Sequence, residues 1–338
     1  MTETQPADWN RRLAPYRRPN WRRSLFELVL TATALGALWT LGWVAMHFGL
    51  WWLALLLTVP AAAFLVRLFM IQHDCGHGSF FEAKAANDWV GRSIGLLTLT
   101  PYDYWRSTHA QHHATSGNLD RRGLGVIEML TVDEYLALSP AKRLGYRLYR
   151  NPAVMFGLGP TFVFFIQQRL PFGMMKAGWK PWVSTLGNTA LIAAGVAAMI
   201  WLLGLAPVML VNFTTMVIAA TIGVWLFFVQ HQYEGVAWSR QKDWKRDEAA
   251  LMGSSHYDLP QPLRWLTANI GIHHVHHLSS RIPFYRLPQV LKDHPELKGM
   301  SRIGLKESFK NARLALWDEA AQRLVSFREI RGRAAAAA

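Results

Sequence analysis

The chain has a single cysteine, Cys75, in 338 residues. That excludes an internal disulfide and a cysteine-rich zinc or iron–sulfur site within one chain. Charge is scarce as well: Asp, Glu, Lys and Arg together make up 17%, against roughly 25% in soluble domains. Acid is scarcer than base, 22 residues against 36, for a formal net charge of +14. No motif for reading bases accompanies that excess, so no nucleic-acid partner is expected. A secretory leader is not expected either, because the first 24 residues are polar, carry six Arg and lack a small-residue cleavage site. Beyond two paired apolar segments there is no internal repeat, no linker between domains, and no fused cytochrome or flavin-binding motif.

Apolar residues are plentiful, 51% of the chain with 16 Trp and 17 Phe, and they are concentrated in blocks. Segments 28–48, 51–71, 186–205 and 208–228 would each extend about 30 Å as helices, enough to cross a hydrocarbon core. Pro60 and Arg67 interrupt the second segment, and an arginine near the end of a span can snorkel or pair inside the protein. The joints near Gly49 and near Ala206–Pro207 hold no Lys or Arg. The pattern predicts an all-α integral membrane protein: four transmembrane helices in two hairpins, interfacial helices, and a cytoplasmic histidine-rich helical cap. Arg11, Arg12, Arg17, Arg18, Arg22 and Arg23 precede the first segment, Arg106, Arg121, Arg122, Lys176 and Lys180 lie between the pairs, and Arg240, Lys242, Lys245 and Arg246 follow the fourth. The positive-inside tendency puts both termini and the central region in the cytoplasm, a bacterial inner membrane being expected. Segment 91–99 is too short to cross. Segment 152–166 is borderline, and a six-span arrangement is the rival. Residues 1–338 read as one membrane domain, with 296–338 a peripheral helical extension and 302–327 spaced like a helix.

Nine of the thirteen histidines fall in three clusters just outside apolar segments: HDCGH from His73, HAQHH from His109 and HHVHH from His273. His73 and His77 are one helical turn apart. His109, His112 and His113, then His273, His276 and His277, each occupy i, i+3 and i+4, a single helical face. Imidazole suits iron and zinc. HDCGH has the spacing of the zinc hydrolase motif HExxH, but Asp74 replaces its Glu, and a hydrolase needs only about three ligands. Eight clustered histidines exceed that need and suit two ions. His231, in FFVQHQYE after the fourth segment, is a ninth candidate; a helix-ending or lipid-binding role is its alternative. His47, His256, His274 and His294 are left outside the shell. Asp74, Asp103, Asp120, Glu234, Asp258 and Asn269 are candidates for orienting the rings, and each could instead cap a helix or form a solvated pair. A metal or proton transporter would carry such groups along a midplane path rather than outside the spans.

Over about residues 15–295 the chain resembles the membrane fatty acid desaturases, particularly the omega-6/delta-12 acyl-lipid branch. The resemblance lies in QHDCGHGSFF from Gln72, HHATSGNLDRRG from His112, FVQHQYE from Phe228, GSSHYDLP from Gly253 and NIGIHHVHHLSSRIPFYRLP from Asn269. It implies two non-haem iron ions held by His73, His77, His109, His112, His113, His231, His273, His276 and His277. It also implies O2 as co-substrate and a cis double bond placed in a lipid-linked acyl chain, with the iron doing the chemistry and no catalytic side chain beyond its ligands. Electrons are expected from a separate donor such as ferredoxin. A membrane di-iron hydroxylase or ketolase shares the box architecture and is the nearest alternative.

Overall fold

The computed structural model describes residues 8–123 and 125–330. The helices that position the site are α1 (Trp21–His47), α2 (Trp51–His77), α3 (Lys84–Leu97), α4 (Tyr102–Thr115), α5 (Gly159–Phe165), α6 (Trp179–Leu203), α7 (Leu205–His231) and α8 (His273–Leu278). Among the described residues, α1, α2, α6 and α7 are long and apolar enough to cross a membrane. They match the four segments expected from sequence with shifted ends: α1 and α6 begin seven residues early and stop one and two residues short, α2 ends six residues late, and α7 runs three residues past each end. The added turns are held by protein contacts: Ser24 donates to the Phe80 carbonyl at 2.6 Å, and Ser184 Oγ accepts from the Tyr104 N–H at 3.1 Å.

Between those ends the outward surface is apolar. Phe26, Leu41, Leu56, Val59, Leu191 and Trp201 are all exposed, Trp201 by 83%. Such a surface suits lipid and would be a liability in water. Several polar residues of the same helices are turned inward: Glu27, Thr31, Arg67, Asn212 and Thr215 are buried, which spares charged and amide groups contact with lipid. Glu27 and Arg67 form an ion pair in which each side chain is 1% exposed.

Among the described residues the four-span expectation holds and the six-span rival does not: segment 152–166 forms a π-helical turn, Val154–Leu158, followed by the seven residues of α5. Together these are far short of the roughly 30 Å needed. Phe156 explains its course, because its carbonyl accepts from Thr221 of α7 at 3.1 Å and its ring packs against Trp225 and Phe228. One expectation needs correction: 302–327 is not one helix. Leu305–Asn311 is helical there, flanked by strands Arg302–Gly304, Leu316–Asp318 and Arg323–Val325. The fold is mostly helical, as expected, and adds strands of two or three residues among the described residues. Arg302–Gly304 pairs in parallel with His256–Asp258, and Leu316–Asp318 pairs in parallel with Leu130–Thr131 and antiparallel with Arg323–Val325. These partners lie far apart in sequence, and tertiary pairing outweighs local helical spacing where Leu316 and Trp317 become buried.

Candidate metal centre

α2 delivers the first pair of histidines and stops directly after them. Gly78 takes the left-handed conformation at φ 66°, and Ser79 N–H closes back on the Asp74 carbonyl at 3.0 Å. Glycine is the residue that accepts this C-terminal geometry without strain. Two residues earlier, Gly76 admits a close neighbour: a Cβ there would stand 2.7 Å from the Trp105 ring. Trp105 in turn stacks on His109, one turn along α4, with ring centroids 4.6 Å apart and an interplanar angle of 14°. The glycine of the HDCGH box thus makes room for the aromatic ring that fixes a histidine of the second box. The third box, α8, is pinned at its start, where the His273 and His274 N–H groups both donate to the Ser255 carbonyl at 3.2 Å.

Folding brings all nine expected histidines together in two groups. His73, His77, His109, His113 and His276 form one, and His112, His231, His273 and His277 the other; within each, the ligand atoms lie within 4.8 Å of one another. Adjacent residues divide between the groups, His112 from His113 and His276 from His277. The seam between groups is close, with the His113 and His277 rings stacked at 4.1 Å. His231, the ninth candidate, sits at the heart of the second group, its Nε2 3.1 Å from His112 Nε2 and 3.0 Å from His273 Nε2.

The donor set fits metal ions. His109 Nε2 lies 3.1 Å from both His77 Nε2 and His113 Nε2, and His273 Nε2 lies 3.1 Å from His277 Nε2 as well as 3.0 Å from His231 Nε2. One ring proton cannot serve two acceptors at once, so hydrogen bonding alone leaves lone pairs opposed. A separation near 3 Å is instead the edge of a coordination polyhedron with metal–nitrogen bonds of about 2.1 Å. Protonation would also defeat such a cluster. Burial, followed by the neighbouring imidazoles, holds His109, His112, His113, His273, His276 and His277 well below the usual histidine range. They stand neutral at physiological pH, the state in which imidazole binds a metal.

The outward ring nitrogens show which groups orient the shell. His231 Nδ1 lies 3.2 Å from the Gly253 carbonyl, so it donates there and leaves Nε2 free. Of the six acidic and amide candidates, Asp74 approaches a ring, with Oδ1 3.4 Å from His73 Nδ1 while Oδ2 accepts from Phe284 N–H at 2.7 Å. The others are occupied elsewhere. Asp103 is forked by Arg92, Asp120 is held by Arg240 and Gln241, and Asp258 is bound by Arg264 and Arg302. Asn269 donates to the Phe284 carbonyl, and Glu234 is exposed. Two orienting groups went unseen in the sequence. Trp105 stands four residues before His109, on the same helical face, a spacing that could have flagged it; Gly253 acts through its carbonyl and leaves no side-chain signal. The four histidines set aside remain outside: His256 and His274 bond to the Lys298 and Leu297 carbonyls, His294 meets Arg12, and His47 ends α1 away from the cluster.

A cavity of about 840 Å³ opens against His73, His109 and His273. Its other walls come from α2 (Leu65, Phe69), α7 (Ala219, Gly223) and the 154–168 segment (Met155, Phe162). The lining is mainly apolar, and its volume lies within the usual range for a small-molecule site, about 300–1,000 Å³.

Residues 50–306 match the family model described as fatty acid desaturase. A Bacillus subtilis protein named fatty acid desaturase is 44% identical over 321 residues, covering 95% of this chain and 90% of its own. The sn-1 oleoyl-lipid 12-desaturase of Anabaena variabilis is 27% identical over 308 residues, 80% of this chain and 75% of its own. A Synechocystis protein named sn-1 acyl-lipid omega-3 desaturase (ferredoxin) is 28% identical over 232 residues, 65% of this chain and 61% of its own.

Proposed function

The chain belongs to the fatty acid desaturase family, and from that premise we propose that it is an oxygen-dependent di-iron enzyme placing a cis double bond in a lipid-linked acyl chain, of the delta-12/omega-6 type. The observation that carries this reading is the continuity of an apolar cavity with three histidines of the two-group cluster. A methylene has no acidic proton and no carbonyl, so acid–base side chains alone cannot attack it. Iron held by the nine histidines would supply the oxygen-dependent hydrogen abstraction that this chain's own groups cannot perform.

What the protein does is hold and exclude. His73, His77, His109, His113 and His276 would bind one ion, and His112, His231, His273 and His277 the other. Trp105, Asp74 and the Gly253 carbonyl orient the rings of His109, His73 and His231 toward the ions they would hold. The cavity walls keep water from the reacting carbons and hold an extended chain against the His73, His109 and His273 face. Each methylene placed there contributes about 0.8 kcal/mol.

In this reading the whole chain works as one membrane unit. The spans form two hairpins, α1–α2 and α6–α7, in a bacterial inner membrane, with both termini and the histidines on the cytoplasmic side. The basic residues outside the spans favour that orientation and would attract an acidic electron donor. Ferredoxin is the proposed donor, consistent with the name of the Synechocystis relative. The delta-12 assignment leans on the Anabaena relative. Expression in a host lacking desaturases, followed by mass spectrometry of fatty-acid methyl esters, tests the reading. A new alkene twelve carbons from the carboxyl end is the expected result; a hydroxylated or keto product would move the chain to the hydroxylase alternative.

A further inference from the structure

The helix Leu305–Asn311 keeps polar residues inside and large apolar ones outside. Ser308 and Asn311 are its buried residues. Ser308 Oγ lies 3.0 Å from the Tyr257 hydroxyl, and Asn311 Oδ1 accepts from the Glu234 N–H at 3.3 Å. Leu305 and Phe309, one turn apart, face outward instead, Phe309 with 61% exposure. A helix in water turns its apolar stripe to the core and its polar face to solvent. Here that order is reversed, so the outward face is suited to something other than water.

Contacts with α7 fix the level at which this face lies. The Phe309 ring packs against Trp225 with centroids 5.1 Å apart, and Trp225 Nε1 donates to the Tyr257 hydroxyl at 3.4 Å. Trp225 stands six residues before His231, which ends α7, and so about 9 Å back along the helix. That position is inside the apolar run 208–228 of a helix long enough to cross a membrane. Phe309 is therefore level with the last apolar turns of a span. Trp225 also packs against Phe156, and the segment after Phe156 leaves Leu158 and Phe162 exposed. One ring of the span thus joins Phe309 to a stretch of chain that is apolar on its outside as well.

Next to the apolar stripe the helix is basic. Lys306 and Lys310 follow Leu305 and Phe309 by one residue each, about 100° round the axis, and Arg313 stands two residues beyond the helix end. All three are exposed, and none forms an ion pair among the described residues. Glu307, the acid of this stretch, has its carboxylate taken up by the Gly304 N–H at 2.7 Å. An apolar stripe edged by cations is what lies stably in the boundary of an anionic bilayer.

Resting on the four-span reading, but not on the reaction assigned to the histidines, we propose that Leu305–Asn311 is a lipid-binding element. Leu305 and Phe309 enter the bilayer boundary beside α7, and Lys306, Lys310 and Arg313 bind the headgroups of anionic phospholipids.

Cys75 is the chain's one cysteine and is buried, so a cysteine introduced at the surface can be labelled alone. The full-length Phe309→Cys variant, carrying a bimane fluorophore, is placed in nanodiscs of mixed phosphatidylcholine and phosphatidylglycerol. Control labels go to Leu191→Cys on the exposed face of α6 and to Asp243→Cys after α7. Quenching is read with aqueous iodide, with nitroxide-bearing phosphatidylcholine and with the same nitroxide on phosphatidylglycerol. At 309 the lipids should quench, iodide should act far less than at 243, and the anionic lipid should quench more than the neutral one. In Lys306→Gln/Lys310→Gln/Arg313→Gln that preference should fall, by up to roughly fivefold in local lipid enrichment for each charge removed. Iodide quenching equal to that at 243 with none from lipid overturns the proposal. So does a label that neither reagent reaches, the sign of a protein partner or second copy on this face, and so does equal quenching by the two lipids. Should Phe309→Cys fail to accumulate, Leu305→Cys reports on the same face with the same expected and contrary results. A label at 191 that lipid does not quench rejects the four-span reading itself, so the two failures are distinguishable.

Discussion

The buried ion pair between Glu27 and Arg67 offers a quantitative probe of how the spans support the site. Both side chains are 1% exposed, and Arg67 is tied to more than its partner. It donates to the Trp265 carbonyl, and its guanidinium lies 4.1 Å from the Trp265 ring centroid and 5.3 Å from that of Phe284. Asp74, two turns along the same helix, accepts from Phe284 N–H. Arg67 and Asp74 thus grip the chain before and after the third histidine box. The two halves of the ion pair are not equivalent. Glu27 has a second cation, Arg23, at 2.6 Å and half exposed, whereas Glu27 is the carboxylate that Arg67 touches. Removing one partner of a buried pair costs about 3–5 kcal/mol when the other charge is left uncompensated. Glu27→Gln should therefore cost about 3–5 kcal/mol, and Arg67→Met less, since Arg23 still faces Glu27. The double variant Glu27→Leu with Arg67→Met leaves no buried charge and should recover most of the loss. Unfolding in mixed micelles titrated with SDS gives these differences. Single variants within about 0.5 kcal/mol of the parent, or a double variant no better than Glu27→Gln alone, would refute the reasoning.

Other consequences are simpler to state. His112→Ala and His276→Ala remove ligands from different groups, so each purified variant should keep about half the parent's iron and form no alkene; full iron with full activity would reject both assignments. Asp74→Ala strands the buried Phe284 N–H, which should cost about 1–3 kcal/mol in the same unfolding assay, whereas Asp74→Asn keeps an acceptor and should cost less. Gly76→Ala drives a methyl group against Trp105 and disturbs its stacking on His109. Alkene formation should fall about tenfold or more, with the protein still accumulating; a turnover equal to the parent's would show that the stacking orients nothing.

Much of this arrangement could be read from the chain. Four apolar segments appeared as four long helices because lipid-facing helices need a continuous run of apolar residues, a signal few local choices can mask. The histidine clusters were equally open to reading, since i, i+3 and i+4 spacing commits side chains to one face before any tertiary contact forms. Even the split of His112 from His113, which lets one helix serve two groups, follows from neighbours on a helix pointing about 100° apart. What stayed hidden depends on pairing at a distance. The helix-like charge pattern at 302–327 gave way to strands because Leu316 meets Leu130 in the fold. Segment 152–166, borderline for a span by its sequence, is a cavity wall laid along α7 by Phe156. Asp103, Asp120 and Asp258 had no sequence feature to distinguish them from Asp74; arginines elsewhere in the fold occupy them.

The most direct test of the central claim is the metal content and ligand field of the purified, full-length protein. Two iron ions per chain, with a nitrogen-dominated shell at about 2.1 Å by X-ray absorption, is the predicted result. One ion or none after reconstitution, or a shell dominated by oxygen or sulfur, would contradict the nine-histidine centre.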